Sequence, residues 1–171
     1  VKPLNPKLKQ LYDIADVENI TINYFPLVDP IFGVYFSSKE TGPIIGINSK
    51  IQNDEDQLMI VLAEELGHHF TSVGDFVGPL YHIANRIHLS KIEEDALRWT
   101  CDTLVPTEEL ISCIKNSTDT LNDVSKRLHV SKKILHEKLR FLSLKNSVIQ
   151  VNDNLALVLS SFPNVCLYKN L

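Results

Sequence analysis

The chain has 171 residues, 44% of them hydrophobic and 22% charged, and a formal net charge of -4. That length holds one ordinary domain with a small appendage, not two full domains, and the composition is that of a chain that folds. The acidic total argues against generic nucleic-acid binding by the whole surface, and no apolar run approaches the roughly 20 residues that span a bilayer.

The first residues, Val1 to Asn5, show no signal-peptide core, so a cytoplasmic location is expected. Cys101, Cys113 and Cys166 are odd in number and widely spaced. They suggest reduced, packed thiols and neither a disulfide framework nor a zinc ribbon.

Taken in chain order, residues 6–17 place Leu8, Leu11, Ile14 and Ala15 at helical spacing behind Pro6, which suits a helix start. Three β-rich runs follow at 20–25, 31–36 and 43–49, punctuated by Asp29-Pro30 and by the turn residues 39–42, and an antiparallel meander is the natural expectation. From 54 to 70 the period changes to that of a helix: acids fill the first turn, and Leu58, Val61, Leu62, Leu66 and Phe70 form an apolar stripe.

Residues 71–79 end that helix, and 81–87 could form a short one. A further helix is expected at 90–105, with Ser90 as N-cap, Glu93 at the capping-box position, Trp99 facing inward and Pro106 just past the end. Another helix follows from Thr107 to about Lys115. Residues 120–144 read as a helix pair around His129-Val130-Ser131 with a helix-turn-helix shape. Residues 155–159 read as a strand.

The chemistry gathers at Glu64-Glu65-Leu66-Gly67-His68-His69. In a zinc peptidase of the H-E-x-x-H type, two ligands four residues apart share one helix face, and the glutamate between them acts as general base. In that register Glu64 and His68 hold the ligand positions and Glu65 that of the base. A carboxylate is itself a legitimate zinc ligand. His69, one residue further on, points about 100° away around the helix and cannot replace Glu64.

A third ligand should come from another helix, and Glu93-Glu94-Asp95 offers three acids. Glu93 is favoured, and Glu94 is the fallback. His69 is read as a supporting or packing histidine. His82 and Tyr81 are candidates for stabilising a developing oxyanion, although ordinary surface residues would look the same.

Together, Leu62-Ala63-Glu64-Glu65-Leu66-Gly67-His68-His69 and the later Glu93 to Pro106 segment resemble the ImmA/IrrE family of metallopeptidases. That family's pattern is A-H-E-L-G-H followed by E-x-x-A-x-x-F-A-x-x-L-L-M-P. Trp99, Leu104, Val105 and Pro106 fall on its aromatic, apolar and proline positions. The likeness covers about residues 5–145 and departs at Glu64, where the pattern has histidine.

The resemblance implies an α+β, zincin-like fold: a small antiparallel sheet, a metal-binding helix, a second ligand helix and a C-terminal helix-turn-helix-like pair. The chain is expected to divide into a metallopeptidase-like domain at 1–116, a helical appendage at 117–145 and, outside the resemblance, a tail at 146–171 that could add a strand packing on the domain. The resemblance also implies an endopeptidase using Zn²⁺, with Glu65 as base and a regulatory protein of helix-turn-helix repressor type, from a phage or mobile element, as substrate. With two carboxylates and one imidazole the site would be formally neutral, which shifts preference toward harder ions such as Mn²⁺.

Two other readings stay open. One is a catalytically inactive metal-binding or interaction protein that binds a repressor without cutting it. The other is a DNA-binding regulator using residues 120–145, where seven Lys or Arg stand against two acids. Lys132 and Lys133 would then meet phosphates, while a solvated helix surface accounts for the same charges.

Overall fold

The computed structural model describes residues 5–72, 86–115 and 120–169. The chain divides into two compact units, Val1–Thr100 and Cys101–Leu171. Together they form an α+β protein.

In the first unit, α1 spans Pro6–Val17, with the Asn5 side chain accepting from the Lys7 N–H at 2.9 Å and Pro6 in the first turn. It buries Leu8, Leu11 and Ala15, the residues its period marks. The strands are β1 (Thr21–Phe25), β2 (Gly33–Ser38) and β3 (Gly42–Asn48). Their order is β1-β3-β2, with β2 antiparallel and β1 parallel to β3.

The sheet is therefore mixed, in place of the expected meander. The linker at 26–32 contains Pro26 and Pro30, so β1 and β2 are not joined by a tight hairpin. It is tied to the end of β3 instead: the fully buried Asn48 amide donates to the carbonyls of Leu27 at 3.2 Å and Ile31 at 2.9 Å. Satisfying these carbonyls lets the linker pass β3 and deliver β2 to its far side.

Helix α2 spans Glu55–Thr71 and packs on α1, β2 and β3. Asp54 caps it, accepting from the Gln57 N–H at 3.1 Å, and Glu55 and Asp56 sit favourably at the positive end of the helix dipole. Leu58, Met59, Leu62, Ala63 and Leu66 of α2 are buried, as are Ile45 and Ile47 of β3 and Tyr35 of β2, and together they supply the core where the helix packs on the sheet. Phe70, expected on the same stripe, is 42% exposed.

Helix α3 spans Arg86–Leu104, so Ser90 lies inside it and is not its N-cap. Nothing in residues 86–89 breaks a helix, and a Ser-x-x-Glu pattern is compatible with a helix interior as well as a cap. The short helix expected at 81–87 falls largely outside the described residues. Trp99 is not a core residue: it is half-buried and stacks on Phe70 with ring centroids 4.8 Å apart.

In the second unit, α4 (Thr107–Lys115), α5 (Leu121–Arg127) and α6 (Lys132–Ser143) are followed by β4 (Val148–Asn152), β5 (Leu155–Val158) and β6 (Cys166–Lys169). The strands form an antiparallel sheet in the order β4-β5-β6, a fuller structure than the single strand expected of the tail. The α5–α6 pair has the anticipated helix-turn-helix form. A capping box at Thr120 and Asp123 starts α5, His129 turns the chain at φ 54°, and the Ser131 side chain caps α6 by accepting from Ile134 N–H at 3.2 Å. The compact units meet in sequence within α3, whereas the motif-based division places the domain boundary at 116/117.

Candidate active site

The crossing of α2 and α3 builds the site. As α2 advances from Ala63 to Gly67, the partner residues on α3 recede from Thr100 to Ala96, so the helices run antiparallel. The buried Thr100 hydroxyl donates to the Ala63 carbonyl at 3.0 Å. At Gly67 the approach is closer still: a Cβ there would lie 2.5 Å from the Ala96 carbonyl oxygen. Only glycine permits that backbone contact, and the crossing it allows carries Glu93 to His68.

His68 Nε2 stands 3.5 Å from Glu93 Oε2, with the imidazole 11% and the carboxylate 67% exposed. Glu65, 9% exposed, lies almost one helical turn before His68 on the same face. Burial pushes its carboxyl up to about 7; the charge of His68 opposes this, and those of Glu64 and Glu93 add to it. For His68, burial favours the neutral ring, but the hydrogen bond to Glu93 and the charges of Glu65, Glu93 and Glu64 outweigh it and raise the pKa. The same hydrogen bond holds Glu93 below its ordinary value, against the effect of burial.

Gly33, at the start of the edge strand β2, makes room for the base. A Cβ there would sit 2.5 Å from Glu65 Oε1 and 2.6 Å from Val61 Cγ1. Two residues on, on the same strand face, the Tyr35 hydroxyl and His69 Nδ1 hydrogen-bond at 2.9 Å, while His69 Nε2 lies 3.5 Å from Glu18 Oε2. His69 thus ties α2 to β2 and to Glu18, just past the end of α1, at a position turned away from His68.

Of the residues singled out by sequence, the structure brings Glu65, His68 and Glu93 together. Glu64 and Glu94 are half-buried, and Tyr81 and His82 lie outside the described residues. Among the described residues no three His, Cys, Asp or Glu side chains form a ready metal cluster. The donor chemistry nevertheless suits a divalent cation: an imidazole and a carboxylate converge, and the charges of Glu64 and Glu93 act on the buried Glu65.

Sequence reasoning missed Gly33, Gly67, Tyr35 and Thr100. Ala63 and Gly67 on one helix, with Ala96 and Thr100 on the other, are small residues four apart, and that pairing was a readable sign of a close helix crossing.

The basic segment is less free than its composition suggests. Lys138 is 2% exposed and reaches Asp102 Oδ1 at 2.6 Å, and Arg140 Nε meets Glu137 Oε2 at 2.6 Å. Lys126 lies 3.9 Å from Asp123. Lys132 and Lys133 are exposed at the start of α6.

The small α+β arrangement, with a carboxylate and an imidazole brought together by two crossing helices, is consistent with a zincin-like peptidase domain. Residues 15–140 match the model of the peptidase family described as IrrE N-terminal-like domain, and the chain belongs to that family. The match runs from α1 into α6 and leaves the β4-β5-β6 sheet outside it. No curated protein matches the chain. Membership supplies a metallopeptidase-like function, with a metal as the implied cofactor and a protein as the substrate class. Among the described residues no helix is long and apolar enough to cross a membrane.

Proposed function

We propose that the chain is a metal-dependent endopeptidase that cuts a regulatory protein, a repressor of helix-turn-helix type from a phage or mobile element being the favoured substrate. The observation that carries this reading is the convergence of His68 and Glu93 beside the buried Glu65. Glu64, His68 and Glu93 would hold the ion, with Glu94 as the fallback donor, and Zn²⁺ or Mn²⁺ fits such oxygen and nitrogen ligands. When bound, the ion supplies Lewis acidity that polarises the scissile carbonyl.

The protein's own groups account for the remaining chemistry. Glu65 takes the proton of the attacking water and returns it to the leaving amine, a role open to a buried carboxylate beside the His68–Glu93 pair. Gly33 keeps the strand backbone close to that carboxylate, and the outer edge of β2 offers N–H and C=O groups to an extended peptide.

Incubating the metal-loaded protein with repressors of this class tests the reading. Cleavage by the unmodified chain and its loss, by about a hundredfold or more, in Glu65→Gln is the expected result. Retained cleavage in Glu65→Gln would remove Glu65 from the chemistry.

A second reading, a catalytically silent protein that binds a repressor without cutting it, draws on Glu64. A carboxylate in the first ligand position lowers the charge of a loaded site and so its power to acidify water. Binding of a repressor without cleavage, undiminished in Glu65→Gln, would favour it. The DNA-binding reading keeps Lys132 and Lys133 as exposed candidates, but the pairing of Lys138, Arg140 and Lys126 within the fold weakens it.

A further inference from the structure

We propose that the second unit carries a binding site, separate from the peptidase centre, for a small monocarboxylic acid with a compact apolar body. A cavity of about 230 Å³ opens between α5, α6 and the loop joining β5 to β6. Leu121, Leu135, Leu139, Phe162, Pro163 and Val165 supply its apolar wall. It is larger than the roughly 150 Å³ apolar cavity known to hold benzene, so a ring or short alkyl chain has room.

The polar lining is one-sided. Lys132 and His136 lie four residues apart on one face of α6, Asn122 is the other polar member, and none of the described lining residues is acidic. The His136 ring is itself placed by Phe162, with centroids 4.9 Å apart, and its Nδ1 lies 3.7 Å from Glu137 Oε1, a carboxylate that also takes Arg140. An apolar body would bury against the leucines and Phe162, while a carboxylate at the mouth would meet the Lys132 ammonium and an imidazole N–H. A bare phosphate would leave the apolar wall unused, and a neutral hydrocarbon would leave the cationic rim unused. The complementarity therefore selects an amphiphilic anion.

The test is an NMR titration of the full chain with octanoate, run beside inorganic phosphate at equal ionic strength. Saturable shifts confined to α6, residues 121–122 and the 160–165 loop are expected. Lys132→Gln and His136→Gln, both at exposed helix positions, should each weaken octanoate about three- to fivefold, as loss of one partly exposed polar contact does. Absence of saturable shifts below the micelle concentration overturns the proposal, as does unchanged affinity in both variants. Phosphate reproducing the same shifts with the same affinity overturns it as well, because the site would then read charge alone.

Discussion

Glu65 is a carboxyl held in the wrong environment for its charge. Burial moves it from an ordinary 4.5 to about 7, and in the metal-free protein this has a definite consequence for stability. Between those values the native state keeps a proton that the unfolded chain releases, so stability is full below pH 4.5 and falls as pH rises through about 7. The loss amounts to about 3 kcal/mol at most. Glu65→Gln has no proton to lose there. Urea denaturation in chelator at pH 5 and pH 8 should therefore show the unmodified protein losing about 2–3 kcal/mol more than the variant across that interval. Equal losses would mean that Glu65 is solvated or already neutralised. A bound cation would act in the same direction as the substitution, since it favours the charged carboxylate that the apoprotein disfavours.

At the scale of elements, the α2–α3 crossing decides whether the site exists. Gly67→Ala adds a methyl 2.5 Å from the Ala96 carbonyl oxygen, and backbone cannot swing aside as a side-chain tip can. Overpacking of about 1–3 kcal/mol or more outweighs the gain of up to about 1 kcal/mol in helix propensity. The variant should show a lower urea midpoint and, by separating His68 from Glu93, at least tenfold weaker zinc binding, a loss of about 1.4 kcal/mol. Unchanged zinc affinity would show that the pair is not set by this crossing. In the second unit, the buried Lys138 ammonium depends on Asp102. Asp102→Ala strands that charge and should cost about 2–3 kcal/mol in denaturation, whereas Lys138→Met should cost much less, because it removes the buried charge with its partner's need. The reverse ranking would show that Lys138 is solvated in the native state.

Over the whole molecule, the parts legible in the sequence are those that local chemistry encodes. The 3.6-residue period marks α1, α2 and α6, Pro6 and the first-turn acids mark the starts of α1 and α2, and the four-residue spacing on α2 marks Glu64, Glu65 and His68 as a candidate site. What depends on distant parts of the chain was not legible. The parallel pairing of β1 with β3 rests on the Asn48 amide holding the 26–32 linker, and the true start of α3 overrides a local capping signal. The fit of Gly33 and Gly67 depends on elements far away in sequence, and of the three short strands after α6 only β5 shows as an apolar run, β4 and β6 being too short and mixed to reveal themselves. We propose that the first unit holds one metal ion, with Glu64, His68 and Glu93 as its ligands. Elemental analysis of the full chain after dialysis against Zn²⁺ or Mn²⁺ tests it most directly. About one ion per chain, lost in His68→Ala and Glu93→Gln while the fold persists by circular dichroism, is the predicted result. No stoichiometric metal in the unmodified chain, or stoichiometric metal retained in both variants, would contradict it.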